Sequence, residues 1–292
     1  MNSFFKIIIL VISSLQLTRA QNELLFFQTN WGFEGSWEDF FSKTKNSGYD
    51  GIEVWIPADE TIQEKISKGL KKRDLKVIYL CGTNRSLPFE KSLATYRKDL
   101  MRALAQKPHA INSHTGSDFF TTEQNLAFLQ LANQMSKEHN IPVAHETHRG
   151  RFSYSLTETK KFLEADSDFQ LTLDISHWMV VHESLLQEQD LLLEEVLNRT
   201  QHIHARVGFE EGPQVNDPQA PEWKTALERH LSIWETSIEK RWKEGKVPTI
   251  TTEFGPPTYL PTEPFTQKPL SDRWEANVFI MNALKERMQL TK

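Results

Sequence analysis

Eight strand-like segments alternating with eight amphipathic helical segments predict an α/β chain, a (β/α)8 TIM barrel in a single domain. Three observations carry that prediction. The alternation is strict, and helical crossovers imply parallel strands. Four of the strand-like runs share one design: VAHETH at 143–148, LTLDISHW at 171–178, HIHARVG at 202–208 and TITTEFG at 249–255. Each is apolar or β-branched and carries a carboxylate, a histidine or an arginine toward its C-terminal end, where barrel strands gather their chemistry. Finally, roughly 270 residues follow an N-terminal leader, enough for one barrel.

The leader comes first. Lys6 supplies a positive n-region, IIILVISSLQL is an apolar core too short to span a bilayer comfortably, and Thr18-Arg19-Ala20 offers a cleavage site. Residues 1–20 are read as a signal peptide, Gln21 as the mature start and 21–292 as the barrel. The expected location is periplasmic or secreted, without a stable membrane span. Without Lys6 and Arg19 the mature chain has 32 basic and 39 acidic residues, a net charge of −7. That balance argues against a nucleic-acid partner, which demands basic patches. Cys81 is the single cysteine, so no intramolecular disulfide forms, and its setting in VIYLCG reads as a small buried hydrophobe.

The strands are expected at 23–29, 49–56, 75–81, 110–115, 141–148, 169–176, 202–208 and 248–254. Between and after them run helical patterns, from WEDFFSKTKNSG and ADETIQEKISKGLKKRD to RWEANVFIMNALKERMQ, with apolar residues at i, i+3, i+4 and i+7 spacing. A doubly wound open sheet is the competing arrangement. Its marker is a glycine-rich phosphate loop after the first strand, and QTNWGFEG does not fit G-x-G-x-x-G. Proline concentrates in two loops, 213–221 and 256–269. The loop at 208–223 is longer than a simple connection and is expected to act as a lid or specificity element.

Side chains alternate along a strand, so Glu146 and His148 share a face, as do His202, His204 and Arg206, and Thr249, Thr251 and Glu253. A charge facing the helices would be buried without water, so the charged members should line the interior mouth. Glu146, Asp174, His204 and Glu253 then converge. Three ionised carboxylates at one mouth repel one another unless a cation compensates, and with one imidazole they suit Mn²⁺, Mg²⁺, Co²⁺ or Zn²⁺. The bland alternative is four separately satisfied polar groups. His114, His148, Glu53 and Trp55 are candidates to meet substrate, with Glu53 able to brace a catalytic group and Trp55 to wall a pocket. Of the two histidines flanking Glu146, alternation sends His148 to the mouth and His145 to the helices, and His202 lies deeper as a structural group.

The order Glu at the fifth strand, Asp-x-x-His at the sixth, His at the seventh and Glu at the eighth, with GYDGIEVW at 48–55, resembles the sugar isomerase/epimerase superfamily with a xylose isomerase-like TIM barrel. The resemblance spans the mature chain. It implies metal ligation by Glu146, Asp174, His204 and Glu253, acid/base roles for Glu146 and Glu253, and substrate binding by His177. Arg206 departs from the pattern, because the epimerases carry their substrate-binding Arg several residues after the metal-binding His, not two. The implied enzyme abstracts a proton next to a carbonyl of an unphosphorylated sugar or sugar derivative, giving isomerisation or epimerisation. Loss of a β-hydroxyl would make it a lyase or dehydratase instead. A non-catalytic carbohydrate-binding barrel, a DNA endonuclease and a glycoside hydrolase using Glu146 and Glu253 are the competing functions. The tryptophan-bearing helical pattern at 223–242 leaves room for a homo-oligomer contact.

Export generates the first prediction. N-terminal sequencing of secreted material should begin at or near Gln21, whereas a retained, membrane-extractable N-terminus would count against cleavage.

Overall fold

The computed structural model describes residues 23–290, so the expected signal peptide at 1–20 lies outside the described residues. Eight parallel strands close into a barrel in sequence order: β1 Leu25–Thr29, β2 Gly51–Trp55, β3 Lys76–Gly82, β4 Ala110–His114, β5 Val143–Glu146, β6 Gln170–Leu173, β7 Thr200–Ala205 and β8 Thr249–Thr252. Pairing of β1 with β8, Phe27 beside Thr251, seals the ring. This rules out the open sheet.

The helices are α1 Trp37–Asn46, α2 Glu60–Arg73, α3 Phe89–Ala105, α4 Thr122–His139, α5 Leu156–Ala165, α6 Ile175–Val181, α7 Asp190–Leu197, α8 Lys224–Lys243 and α9 Arg273–Arg287. Side-chain oxygens start several of them. Ser36 and Thr121 form reciprocal capping boxes with Asp39 and Gln124, and Asp59 and Asp272 accept from first-turn amides. The apolar faces of the helices meet the outward-pointing strand residues. Ile52, Val54, Val77, Tyr79, Cys81 and Ile111 pack on one side of the ring, and Phe26, Leu171, Leu173, Ile203, Ala205 and Ile250 on the other. Cys81 is fully buried there, and burial raises its thiol pKa, as suits an inert small hydrophobe.

Inside the ring the residues stack in tiers. Leu25, Phe27, Ile78 and Ala110 make an apolar floor. Above it lie Glu53, Asn112, His202 and Thr251, all at most 2% exposed. The charged strand ends form the top. An irregularity between Leu171 and Thr172 in the β6–β7 pairing sets Thr172 beside His202, so one extra β7 residue is absorbed and His202 and His204 keep their inward direction.

One expectation needs correction. The sixth strand was expected to reach residue 176, but β6 stops at Leu173, where the Asp174 side chain accepts from the Ser176 amide at 3.0 Å and caps the short helix α6. An aspartate one residue before a run of three or more helical residues is a start signal, and it outcompetes strand extension here. In the loop at 208–223, Gln214 is buried, donates to the Gly255 carbonyl at 3.2 Å and accepts from the Gly255 amide at 2.8 Å, tying this loop to the exit of β8.

Phe27 carries the floor. Phe27→Ala should cost about 3–5 kcal/mol. Chemical denaturation would show a lowered midpoint with an unchanged m-value, and a midpoint shift equivalent to less than about 1 kcal/mol would mean that the floor collapses to fill the void.

Candidate active site

Four strand ends deliver four ligand-type groups to one place. Glu146 is the last residue of β5, Asp174 follows β6, His204 lies on β7 and Glu253 follows β8. One donor atom from each lies within 4.8 Å of the others, and all four residues are buried. His204 is the hub. Its Nδ1 is 3.0 Å from Glu253 Oε2 and 3.4 Å from Glu146 Oε2, while Nε2 is 2.8 Å from Glu53 Oε1. Glu53 in turn is held by His202 Nε2 at 3.1 Å, by Asn112 Nδ2 at 3.0 Å and by Thr251 Oγ1. With Nε2–H donated downward to Glu53, Nδ1 faces the upper carboxylates, donating to Glu253 while it is protonated and offering a lone pair to an ion once it is not. A carboxylate fixing the far side of a ligating imidazole is how protein metal sites orient their histidines.

The charges are unevenly balanced. Against the penalty of burial, Glu253, Glu53 and Glu146 hold the His204 pKa well above its ordinary value. Burial also opposes ionisation of Glu146, yet His114 and His204 keep its pKa well below the usual carboxylate range. For Asp174 the result is upward: burial raises its pKa, Arg206 pulls it back, and the Glu253 and Glu146 carboxylates push it up again. That crowding is what a divalent cation would relieve. Three carboxylates, one oriented imidazole and mutual distances of this size fit such an ion. Its identity is not fixed by the donor set, which suits Mn²⁺, Mg²⁺, Co²⁺ or Zn²⁺.

Above the cluster opens a cavity of about 480 Å³. Of the four ligand-type residues, only Glu253 lines it. His114, His148, Arg206 and Trp55 line it too, as does Tyr259 from the β8–α9 loop. His114 Nε2 lies 2.7 Å from Glu146 Oε2, its ring 4.9 Å from that of His148. Arg206 is 1% exposed. It donates to Asp174, lies 3.7 Å from Glu253 Oε2, and has the Tyr259 ring 4.6 Å away.

Two residues expected to meet substrate sit elsewhere. Glu53 is fully buried a tier below the cavity, so it braces His204 rather than touching a ligand. His177 is also fully buried, because the chain turns into α6 directly after Asp174. Its ring packs behind that of His148 at 3.8 Å, and its Nε2 accepts from Arg206 at 3.0 Å. His145 faces the helices as alternation demands, with Nδ1 2.6 Å from Thr115 Oγ1, and burial pushes its pKa down to about 3. His202 is structural, between Thr249, Thr251 and Glu53. Sequence reasoning missed Asn112, whose amide nitrogen also donates to Glu146 Oε2 at 2.8 Å. Its signal was present, since Asn112 shares an alternation face with His114. Tyr259 was missed for want of any periodic signal in its loop.

The family model described as xylose isomerase-like TIM barrel matches residues 41–233. The chain belongs to this family. An inosose dehydratase of Mesomycoplasma hyopneumoniae is 27% identical over 197 residues, 60% of this chain and 63% of that enzyme, so the match spans less than two thirds of the curated relative's length. Among solved structures, a D-allulose 3-epimerase from Methylomonas sp. in complex with D-allulose superposes with a TM-score of 0.63 at 13% identity, covering 91% of this chain and 98% of that one. A xylose isomerase-like TIM barrel protein from Mycobacterium smegmatis in complex with magnesium gives a TM-score of 0.63 at 11% identity, over 92% and 99% of the two chains. These structures share the family's fold. No helix among the described residues is long and apolar enough to cross a membrane.

Metal uptake tests the cluster. The Asp174→Asn, His204→Ala double variant should lose Mn²⁺ binding in calorimetric titration while keeping its far-UV circular dichroism. Glu53→Gln, which loosens the His204 ring, should weaken binding about 10–100-fold. Full occupancy in the double variant would remove the metal site.

Proposed function

We propose that the chain is a metal-assisted enzyme of the isomerase/epimerase type that abstracts a proton next to a carbonyl of an unphosphorylated sugar or sugar derivative. One observation carries the reading. Glu253 belongs to the buried ligand cluster and is also the member of it that reaches the cavity. A carboxylate anchored on one side and open to a ligand on the other is placed to act as a general base. The divalent ion that Glu146, Asp174, His204 and Glu253 would hold supplies Lewis-acid polarisation of a substrate carbonyl when bound.

The protein groups divide the remaining work. Glu253 takes the proton from the carbon beside the carbonyl, and the electron pair moves toward the carbonyl oxygen. Arg206 and His114, both on the cavity wall, donate hydrogen bonds to substrate oxygens and hold the ring in register. Glu146, linked to the cavity through His114 at 2.7 Å, is the second carboxylate through which a proton can return to the opposite face. Return at the opposite face gives an epimer, and return at the neighbouring carbon gives an isomer. The lining supports an unphosphorylated ligand: Arg206 is the one Lys or Arg among the described cavity-lining residues, and Asp174 already engages it. The acidic mature chain fits a small neutral ligand better than nucleic acid. Export through the N-terminal leader, if the leader is cleaved, would place this chemistry outside the cytoplasm.

Dehydration is the second reading, favoured by the similarity to an inosose dehydratase. The first step is the same, and a β-hydroxyl then leaves as water with a proton from His114 or His148. Product analysis separates the two, since elimination forms a new C=C bond conjugated with the carbonyl.

Glu253→Gln keeps an oxygen that coordinates weakly but removes the base. Turnover, and solvent-deuterium incorporation at the reacting carbon, should fall about 10²–10⁴-fold with part of the Mn²⁺ affinity retained. Near-normal turnover would reduce Glu253 to a ligand and end the proton-transfer scheme.

A further inference from the structure

The cavity is lopsided. Its ionisable groups stand on the β4–β8 side, whereas the wall above β1, β2 and β3 is formed by Thr29, Asn30, Trp31, Gly32, Trp55 and Leu80, without an ionisable side chain. Two indoles dominate that wall. The Trp55 residue is 51% exposed although it ends a barrel strand, and Trp31 is half-buried. A large aromatic left open to water in a concave site regains burial only when something covers it.

Both indoles are fixed. Gly82 leaves room beside Trp55, since a Cβ there would stand 3.0 Å from the ring, and His114 meets the same ring edge-on at 5.2 Å. Gly255 does this more strictly for Trp31, where a Cβ would fall 2.4 Å from the ring, and Tyr259 packs against it edge-on at 5.0 Å. Indoles seated this way are platforms, not loose surface groups. The cavity volume of about 480 Å³ also falls in the range that encloses drug-sized ligands, about 300–1,000 Å³. Trp55 and Trp31 line the same cavity as Glu253, so a ligand that fills it meets both indoles.

Building on the proton-abstraction reading, we propose that the substrate is a glycoside whose reacting ring sits over Glu253, Arg206 and His114, and whose second ring lies against Trp55 and Trp31. The second ring is uncharged, because that half of the wall offers no charged partner. It has an apolar face, because indole faces stack on C–H surfaces and aromatic rings. The glycosidic linkage occupies the anomeric carbon, so the carbonyl that acidifies the reacting C–H must be a ketone on the ring. An alcohol-oxidising reaction must therefore supply this substrate.

The test uses Mn²⁺-loaded protein and three ring ketones: a keto methyl glycoside, a keto-disaccharide and a keto aryl glycoside. Solvent-deuterium exchange should give a kcat/KM about 10-fold higher for the two ring-bearing compounds, the order that one stacking contact provides. Trp55→Ala should erase that preference by raising their KM. A sugar second ring and an aromatic one are told apart by which compound gains more. Equal kcat/KM for all three, or a Trp55→Ala loss shared equally with the methyl glycoside, would overturn the proposal. Binding of an unoxidised aryl glycoside, followed by tryptophan fluorescence in the wild type and in Trp55→Ala, decides the ring seat independently. Binding that depends on Trp55 without any exchange would uphold the seat and sink the chemistry. Exchange without such binding would do the reverse.

Discussion

The His204 imidazole, clamped between carboxylates above and below, is the interaction on which the mouth of the barrel depends. It is 1% exposed, with Glu53 at 2.8 Å beneath it and Glu253 at 3.0 Å above. Buried carboxylates are costly unless each finds a partner of opposite sign or a hydrogen bond. His204 answers two of them at once and fixes their spacing. Removing the ring would leave Glu53 with His202, Asn112 and Thr251 but would strip the upper carboxylates of their shared partner. The geometry of the top tier is thus set from the tier below.

That lower tier explains how a barrel tolerates so much polarity inside. Glu53 accepts from His202, Asn112 and Thr251, and with Asn112 it links this tier to the ligand cluster, above an apolar floor. A buried network bonded this densely is rigid, and rigidity is what a site built from four different strands needs. The helices contribute by pressing on the outer faces of the same strands, so packing outside and hydrogen bonding inside fix the same register.

Much of this was legible in the sequence because period-two alternation converts position into direction. Alternation alone sends Glu146, His148, His204, Arg206 and Glu253 inward and His145 outward, and the structure places them so. It gives direction but not depth. Glu53 points inward like Trp55, yet one pleat lower it is sealed beneath the cavity while Trp55 stands in it. Depth depends on strand tilt and pairing register, which no single strand encodes. His177 came from the resemblance and not from alternation, and the capping Asp174 starts the short helix that carries it, fully buried. Tyr259 reaches the cavity from a loop, where neither period operates.

Arg206 has a bearing on how the protein comes into being. By pairing with Asp174 and standing near Glu253, it gives the mouth a built-in counter-charge made of the chain itself. The fold therefore carries its own answer to part of its buried negative charge, and closing the barrel over these carboxylates does not call on a group from outside the chain.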